Sequence, residues 1–372
     1  MGICDEVMEI HRRGAIEIVS RVPIESLTDL RMIYTPGVAS VCKVIEETPE
    51  AAYEYTGICD RIAIVTDGTA VLGLGNIGPL ASLPVMEGKA AIFAEFANLS
   101  AIPVLINSND PDTIVKTTAL IASSYGAIQL EDIAAPACFE VEEKLQKLLD
   151  IPVLHDDQHG TATIVLAALI NALKITNRKP QDSTVLMLGA GAAGIAISKM
   201  LLNFGIKDIV IYDSTGPIYK GRTERMNPWK TQIAEITNKE GITCPLAEGF
   251  KDKDIFIGVA QPNMVSKEMI ASMAPNSIAF PLSNPVGEIT TQEAAEAGAA
   301  VTADGRSLNN AQAYPGLFRG ALDARAKKIS MEMMIAAATT LAKLAELPDL
   351  LPDMLDRDIH QQVAEAVAKA AK

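Results

Sequence analysis

The chain has 372 residues, enough for two domains and an appendage. With 49% hydrophobic but only 4% aromatic residues, a large core must be packed from Ala, Val, Ile, Leu and Met. A formal net charge of −14 argues against non-specific nucleic-acid binding, which needs a basic surface; an anionic substrate stays open, because a metal ion can invert the local field.

Taken in order, residues 1–28 read as helical and then irregular. Tyr34 stands just before a Pro36-Gly37 turn. A strand over 61–65 stops at Asp67-Gly68. The glycine-rich Gly73 to Gly78 follows, then a helical pattern through Met86, Lys89, Ile92, Phe93 and Phe96. A strand over 102–106 leads to a helix over 111–123. The strand over 127–130 ends in Glu131-Asp132. An amphipathic helix over 140–149 precedes the short strand 151–154. That strand runs into His155-Asp156-Asp157-Gln158-His159, and an apolar helix is expected over 161–173.

The second half repeats the rhythm. A strand over 184–188 enters a glycine-rich turn and a helix to Asn203. Further strands are expected at 208–212, 255–259, 278–282 and 299–302, with a polar segment over 214–239. A Met- and Ala-rich helix spans 330–347, and the tail from Pro348 is polar and weakly helical. Strands alternating with helices imply a mostly parallel sheet and an α/β fold.

Residues 1–13 lack the apolar core of a signal peptide, and stretches such as 185–198 are too short to span a bilayer. Cys4, Cys42, Cys59, Cys138 and Cys244 are scattered, with no CxxC. They read as reduced, mostly buried thiols of a cytoplasmic protein without a membrane partner.

The GxGxxG pattern occurs twice, and context separates the copies. Gly189-Ala-Gly191-Ala192-Ala193-Gly194 follows a strand and opens a helix. Its first glycine suits the tight turn, the second lets backbone approach a pyrophosphate, and the third lets helix and strand pack. Asp213, at the end of the next strand, can accept hydrogen bonds from ribose hydroxyls. Gly73 to Gly78 lacks this frame, because Pro79 and Pro84 interrupt the helix that should follow. It reads as a tight turn needing positive φ, lining the cleft.

Acids end three strands: Asp67, Glu131-Asp132 and Asp156-Asp157. Asp67-Gly68 fits a turn. The other pairs alternate in direction along an extended segment, so that one acid faces the cleft. Glu131, Asp132 and one of Asp156 and Asp157 make an oxygen-rich site for Mg²⁺ or Mn²⁺. His155 and His159 read as local hydrogen-bonding groups rather than zinc ligands.

The ordered motifs now resemble those of the malic enzyme family, in its short microbial branch. They are Tyr34-Thr-Pro-Gly-Val, Asp67-Gly-Thr-Ala-Val-Leu-Gly-Leu-Gly-Asn-Ile-Gly, Met86-Glu-Gly-Lys89-Ala, Leu130-Glu-Asp-Ile, His155-Asp-Asp-Gln-His-Gly-Thr-Ala, the second glycine fingerprint, Ser283-Asn284-Pro and Pro315-Gly-Leu-Phe-Arg-Gly. The resemblance runs from about Asp29 to Leu347. It implies oxidative decarboxylation of L-malate to pyruvate and CO₂, with NAD or NADP and a divalent metal. It also implies a homodimer.

Carried onto this chain, the family's general acid is Tyr34 and its base Lys89. Asp156 bonds the lysine. Glu131, Asp132 and Asp157 are the implied metal ligands, and Asn284 and Asn310 the asparagines that hold substrate and nicotinamide. A lysine accepts a proton only when neutral, so Lys89 is expected to have a lowered pKa. Asp213 favours NAD, since a carboxylate repels a 2′-phosphate, with NADP the alternative.

Two departures stand out. Ala70 replaces the arginine that grips a substrate carboxylate in larger family members. The segment Gly305-Arg-Ser-Leu-Asn309-Asn310 is short, with Ala311-Gln-Ala-Tyr after it, which puts the placement of Asn310 in question. That shortening motivates a second reading, a metal-dependent oxaloacetate decarboxylase without net redox. A third is a dinucleotide sensor without turnover. The expected organisation is a substrate and metal domain over 1–154, a Rossmann-type dinucleotide domain over 155–319, and a C-terminal helical segment over 320–372 packing back on the first domain.

Overall fold

The computed structural model describes residues 3–71 and 73–371. The N-terminal region is helical: α1 (Ile3–Ile10), α2 (Leu27–Ile33), α3 (Val38–Glu47) and α4 (Ala52–Tyr55). Ser26 and Asp29 close a capping box at the start of α2. None of α2, α3 and α4 buries a residue.

The first sheet follows. Its elements are β1 (Arg61–Thr66), α5 (Pro79–Ala97), β2 (Ser100–Leu105), α6 (Pro111–Ile121), β3 (Ala127–Leu130), α7 (Ala137–Leu148) and β4 (Val153–His155). The strands are all parallel, in the order β2-β1-β3-β4. The C-terminal ends of β1, β3 and β4 therefore lie on one edge, bringing Asp67, Glu131-Asp132 and Asp156-Asp157 together.

β4 passes directly into α8 (Asp156–Ile175). The helix thus begins five residues before the expected 161, and Asp156 and Asp157 are its first two residues, where acids favour the helix dipole. Its body is apolar nearly all round and largely buried, as a helix between layers must be. It packs against helices of the second half and belongs to a core cluster that also draws on β1, α5 and β5. Each fully buried leucine along it, Leu166 and Leu169 among them, contributes roughly 1.5–3 kcal/mol.

The second sheet is built from β5 (Thr184–Leu188), α9 (Ala192–Phe204), β6 (Asp208–Asp213), β7 (Gly216–Pro217), α10 (Pro228–Ala234), α11 (Leu246–Gly249), β8 (Ile255–Gly258), α12 (Lys267–Ala271), β9 (Ile278–Pro281), α13 (Thr291–Glu296) and β10 (Val301–Thr302). The order is β10-β9-β8-β5-β6-β7, parallel except for β7. The chain steps from β5 to β6 on one side and to β8 on the other. That reversal opens a crevice at the C-terminal end of β5, where the second glycine fingerprint lies.

Three helices close the chain: α14 (Tyr314–Asp323), α15 (Met331–Leu344) and α16 (Arg357–Ala370). α15 lies on α8, while α14 and α16 lie against α5. The tail is more ordered than its polarity suggests, because Ile359, Val363 and Val367 form a buried stripe at a spacing of four. Pro79 does not prevent a helix either. It occupies the first turn of α5, where its missing N–H costs nothing, and Pro84 is carried inside. Among the four cysteines with described side chains only Cys138 is buried, which corrects the expectation of mostly buried thiols. Among the described residues no helix is long and apolar enough to cross a membrane.

Candidate active site

The three acids expected to hold a metal converge. Glu131, Asp132 and Asp157 each present an oxygen within 4.8 Å of the others. The local backbone explains how, and it is not the alternation of an extended segment. Asp132 adopts φ +53°, a left-handed turn directly after β3. Its N–H donates to Asp157 Oδ2 at 2.9 Å, and its carbonyl accepts from the Ala70 N–H at 2.9 Å. Asp157 arrives from the first turn of α8.

Lys89 reaches this group from α5. Its Nζ donates to Asp156 Oδ2 at 2.6 Å and lies 3.0 Å from Glu131 Oε1. Asp156 Oδ2 also accepts from Asn310 Nδ2 at 2.8 Å. Asn310 is therefore seated in the cleft despite the short preceding segment. A Cβ at Gly160 would collide with Asp156 Oδ1, so a glycine one turn into α8 makes room for this carboxylate.

The electrostatics are those of a site with too much negative charge. Burial pushes Glu131 well above the usual carboxylate range, against the pull of Lys89. Burial and the Asp157 carboxylate push Asp132 up to about 7. Burial also raises Asp156, again against Lys89. Burial works on Asp157 in the same sense, but the adjacent His155 imidazole outweighs it and holds it low. Asp132 Oδ2 is buried with no hydrogen-bond donor among the described residues. Clustered hard oxygens, surplus negative charge and an orphaned carboxylate oxygen fit a divalent cation such as Mg²⁺ or Mn²⁺.

Lys89 departs from expectation. Burial alone would lower its pKa, but Asp156 and Glu131 outweigh burial and hold the ammonium well above its ordinary value. The Tyr314 ring, 4.8 Å from Nζ, adds a cation–π contact.

The histidines act locally. His159 Nε2 lies 3.0 Å from Glu142 Oε2, and the same carboxylate holds the His155 N–H and Gln158 Nε2. His155 Nε2 lies 3.1 Å from Asp157 Oδ2 without a well-directed hydrogen bond.

A cavity of about 440 Å³ opens from this acidic end. Ala70, Gly73, Asp132, Asp157, Ala193, Ala260, Ser283, Asn284 and Asn310 are among the residues that line it. Gly73, Gly75 and Gly78 have φ of 75°, 75° and 77°, and a Cβ at Gly73 would lie 2.7 Å from the Asn284 carbonyl oxygen. The first glycine cluster is thus a cleft-lining turn.

The second cluster has the geometry of a phosphate cradle. Gly189 has φ +117° and faces the Val259 carbonyl. A Cβ at Gly194 would collide with the Gly189 carbonyl oxygen, whereas one at Gly191 would meet nothing within 4 Å. Gly191 caps α9 without a side chain, so the N–H groups of Ala192, Ala193 and Gly194 stay available to phosphate.

These features coincide with the family comparisons. Residues 13–112 match the model of the malic enzyme N-terminal domain, and residues 158–372 match that of the malic enzyme NAD-binding domain. The chain belongs to the malic enzyme family. It is 47% identical to the bifunctional malic/malolactic enzyme of Bacillus subtilis, over all of this chain and 93% of that protein. It is 43% identical to the NAD-dependent malic enzyme of Geobacillus stearothermophilus, over all of this chain and 79% of that one. Other relatives are NADP-dependent malic enzymes. The crystal structure of the NAD-dependent malic enzyme of Thermotoga maritima superposes with a TM-score of 0.94 at 40% identity, covering 97% of this chain and 98% of that one.

Two residues singled out from the sequence are placed differently from expectation. Tyr34 follows α2, is 68% exposed, and lies outside the set of residues lining the cavity. Asp213 does end β6, but its carboxylate is not free. Arg222 Nη2 donates to both oxygens at 2.8 and 2.9 Å, and Lys230 Nζ to Oδ2 at 2.6 Å. The premise that a bare carboxylate selects NAD therefore fails.

Other groups carried no sequence signal. Glu288 is fully buried and accepts from Ala260 N at 2.7 Å and Ser283 N at 3.3 Å, tying together two loops of the cavity wall. The hydroxyl of Tyr314 is buried beside Lys89 without a hydrogen-bond partner among the described residues.

Proposed function

We propose that this protein oxidises L-malate at C2 and releases CO₂, giving pyruvate and a reduced NAD or NADP. The observation that carries this reading is a single cavity lined by Asp132 and Asp157, by Ala193 of the glycine cradle and by Asn284 and Asn310, with Lys89 held against the same acidic cluster through Asp156 and Glu131. Glu131, Asp132 and Asp157 would hold the divalent ion, Mg²⁺ or Mn²⁺. When bound, the ion supplies Lewis-acid polarisation of the C2 oxygen, and the dinucleotide accepts the C2 hydride.

The chain's own groups handle the protons. Lys89 is the acceptor of the C2 hydroxyl proton, aimed by Asp156. It works only once neutral, and the carboxylates that keep it charged are those whose negative charge a cation offsets. Asn284 and Asn310 orient substrate and nicotinamide, with Asn310 held by Asp156. That bond supports the redox reading over a redox-neutral oxaloacetate decarboxylase, which drew its motive from a displaced Asn310.

Enolpyruvate left after CO₂ loss needs a proton at C3, and Tyr34 is the proposed donor. More than half of the exposed large apolar side chains of the described residues fall within residues 7–55, including Met8, Ile18, Leu27, Met32 and Tyr34. An apolar surface of that extent marks an interface. The reading is a homodimer in which each N-terminal region covers its partner and Tyr34 completes the partner's cleft. The chain divides at about 154 and 319, and the protein works in the cytoplasm.

Product stoichiometry tests the activity. L-malate with Mn²⁺ and either dinucleotide should yield pyruvate, CO₂ and reduced dinucleotide in equal amounts. Lactate without net reduction would assign this chain the malolactic half of the Bacillus subtilis relative's description. CO₂ from oxaloacetate without malate oxidation would favour the lyase.

A further inference from the structure

Asp213 stands where the adenosine ribose of a dinucleotide meets the second strand of the fold. Its two oxygens are surrounded by four donor contacts. Arg222 supplies two, Lys230 one, and the Thr215 N–H the fourth at 2.9 Å. A carboxylate has about four acceptor sites, so none remains for ribose hydroxyls.

The surroundings are net positive. Arg222 is nearly buried and locked by the Gly216, Pro217 and Glu224 carbonyls as well as by Asp213. Lys230 keeps 15% of its side chain exposed, and Arg225 is exposed at the rim, where its guanidinium donates to Ser214 Oγ at 3.2 Å. Two cations thus share the Asp213 carboxylate, and a third, Arg225, sits on the neighbouring Ser214. Of these, Lys230 makes a single directional bond to Asp213 and can leave it, because the bidentate Arg222 pair remains.

We propose that Lys230 and Arg225 form a subsite for a phosphate on the 2′ position of the adenosine ribose, with Asp213 positioning Arg222 and Lys230 rather than binding ribose. The preferred cofactor is then the 2′-phosphorylated dinucleotide, contrary to what Asp213 alone suggests. The proposal rests on the reading of Gly189 to Gly194 as a dinucleotide cradle, and the test separates the two.

Calorimetric titration of the full-length protein with 2′,5′-ADP and with 5′-AMP reads the subsite without turnover. The wild type should bind 2′,5′-ADP about ten-fold or more tightly than 5′-AMP, the scale of one charge-assisted phosphate contact. Lys230→Ala and Arg225→Ala should each lose most of that preference while 5′-AMP affinity holds within about two-fold. Lys230→Arg should retain it, which a merely structural role for Lys230 does not require. Equal affinity of the wild type for both ligands, or an undiminished preference in both alanine variants, overturns the proposal and leaves the cradle standing. Failure of both ligands to bind the wild type overturns the cradle and the subsite together.

Discussion

Lys89 Nζ sits 2.6 Å from Asp156 Oδ2, although 67 positions separate the two in the chain. The contact joins α5 to the first residue of α8, and Asn310 closes it from the second half at 2.8 Å. One carboxylate thus holds the proposed base and a nicotinamide-side asparagine in a fixed relation. Lys89→Ala should reduce malate turnover by roughly 10²–10⁴-fold, the range for a lost general base, with dinucleotide affinity unchanged. Steady-state kinetics and equilibrium binding on the same variant check this. Asp156→Asn should be milder, because an amide can still meet both partners.

Metal affinity should depend on pH with a definite sign. Asp132 holds its proton up to about 7 in the metal-free protein because burial and Asp157 disfavour its ionised form. In the unfolded chain it ionises in the ordinary carboxylate range. Between that range and about 7 the folded state binds the extra proton, so metal-free stability falls as pH rises through the window. A cation must displace that proton, so it binds better above about 7. The rise in melting temperature on adding Mn²⁺ should therefore be larger at about pH 8 than at about pH 6. An equal or smaller rise at the higher pH would refute the assignment of Asp132.

Tyr34 predicts complementation between subunits. Tyr34→Phe and Lys89→Ala homodimers should each be nearly inactive. After co-expression or subunit exchange, the mixed dimer should regain up to one intact cleft. Activity in the mixture no greater than in the separate variants would place Tyr34 outside the partner's site.

Glu288 is predicted to support dinucleotide binding from behind the wall. Glu288→Ala strands the Ala260 and Ser283 N–H groups, each costing about 1–3 kcal/mol when buried and unpaired. Thermal stability should fall and KM for the dinucleotide should rise more than kcat falls. Glu288→Gln, which keeps one acceptor oxygen, should recover part of both.

Much of this was legible in the sequence for identifiable reasons. Apolar runs such as Ile62–Val65 and Val185–Leu188 announce buried parallel strands, and the order of the first sheet brings the acids at the ends of its strands to one edge. Less legible was anything decided by partners distant in sequence or by local backbone. The convergence of Glu131 with Asp132 depends on a left-handed residue that a period-two rule does not foresee. Asp213 looked free because Arg222 and Lys230 lie in a loop and a short helix whose path sequence cannot trace. The exposure of Tyr34 is a property of the fold of one chain, and no motif encodes it.

Glu131, Asp132 and Asp157 are the proposed metal centre of the reaction, separate from the dinucleotide cradle. The most direct measurement takes one preparation of Asp157→Ala and reads both Mn²⁺-dependent malate turnover and dinucleotide affinity. Turnover should be lost while dinucleotide affinity stays within about two-fold of wild type. Retained metal-dependent turnover, or loss of both together, would contradict that assignment.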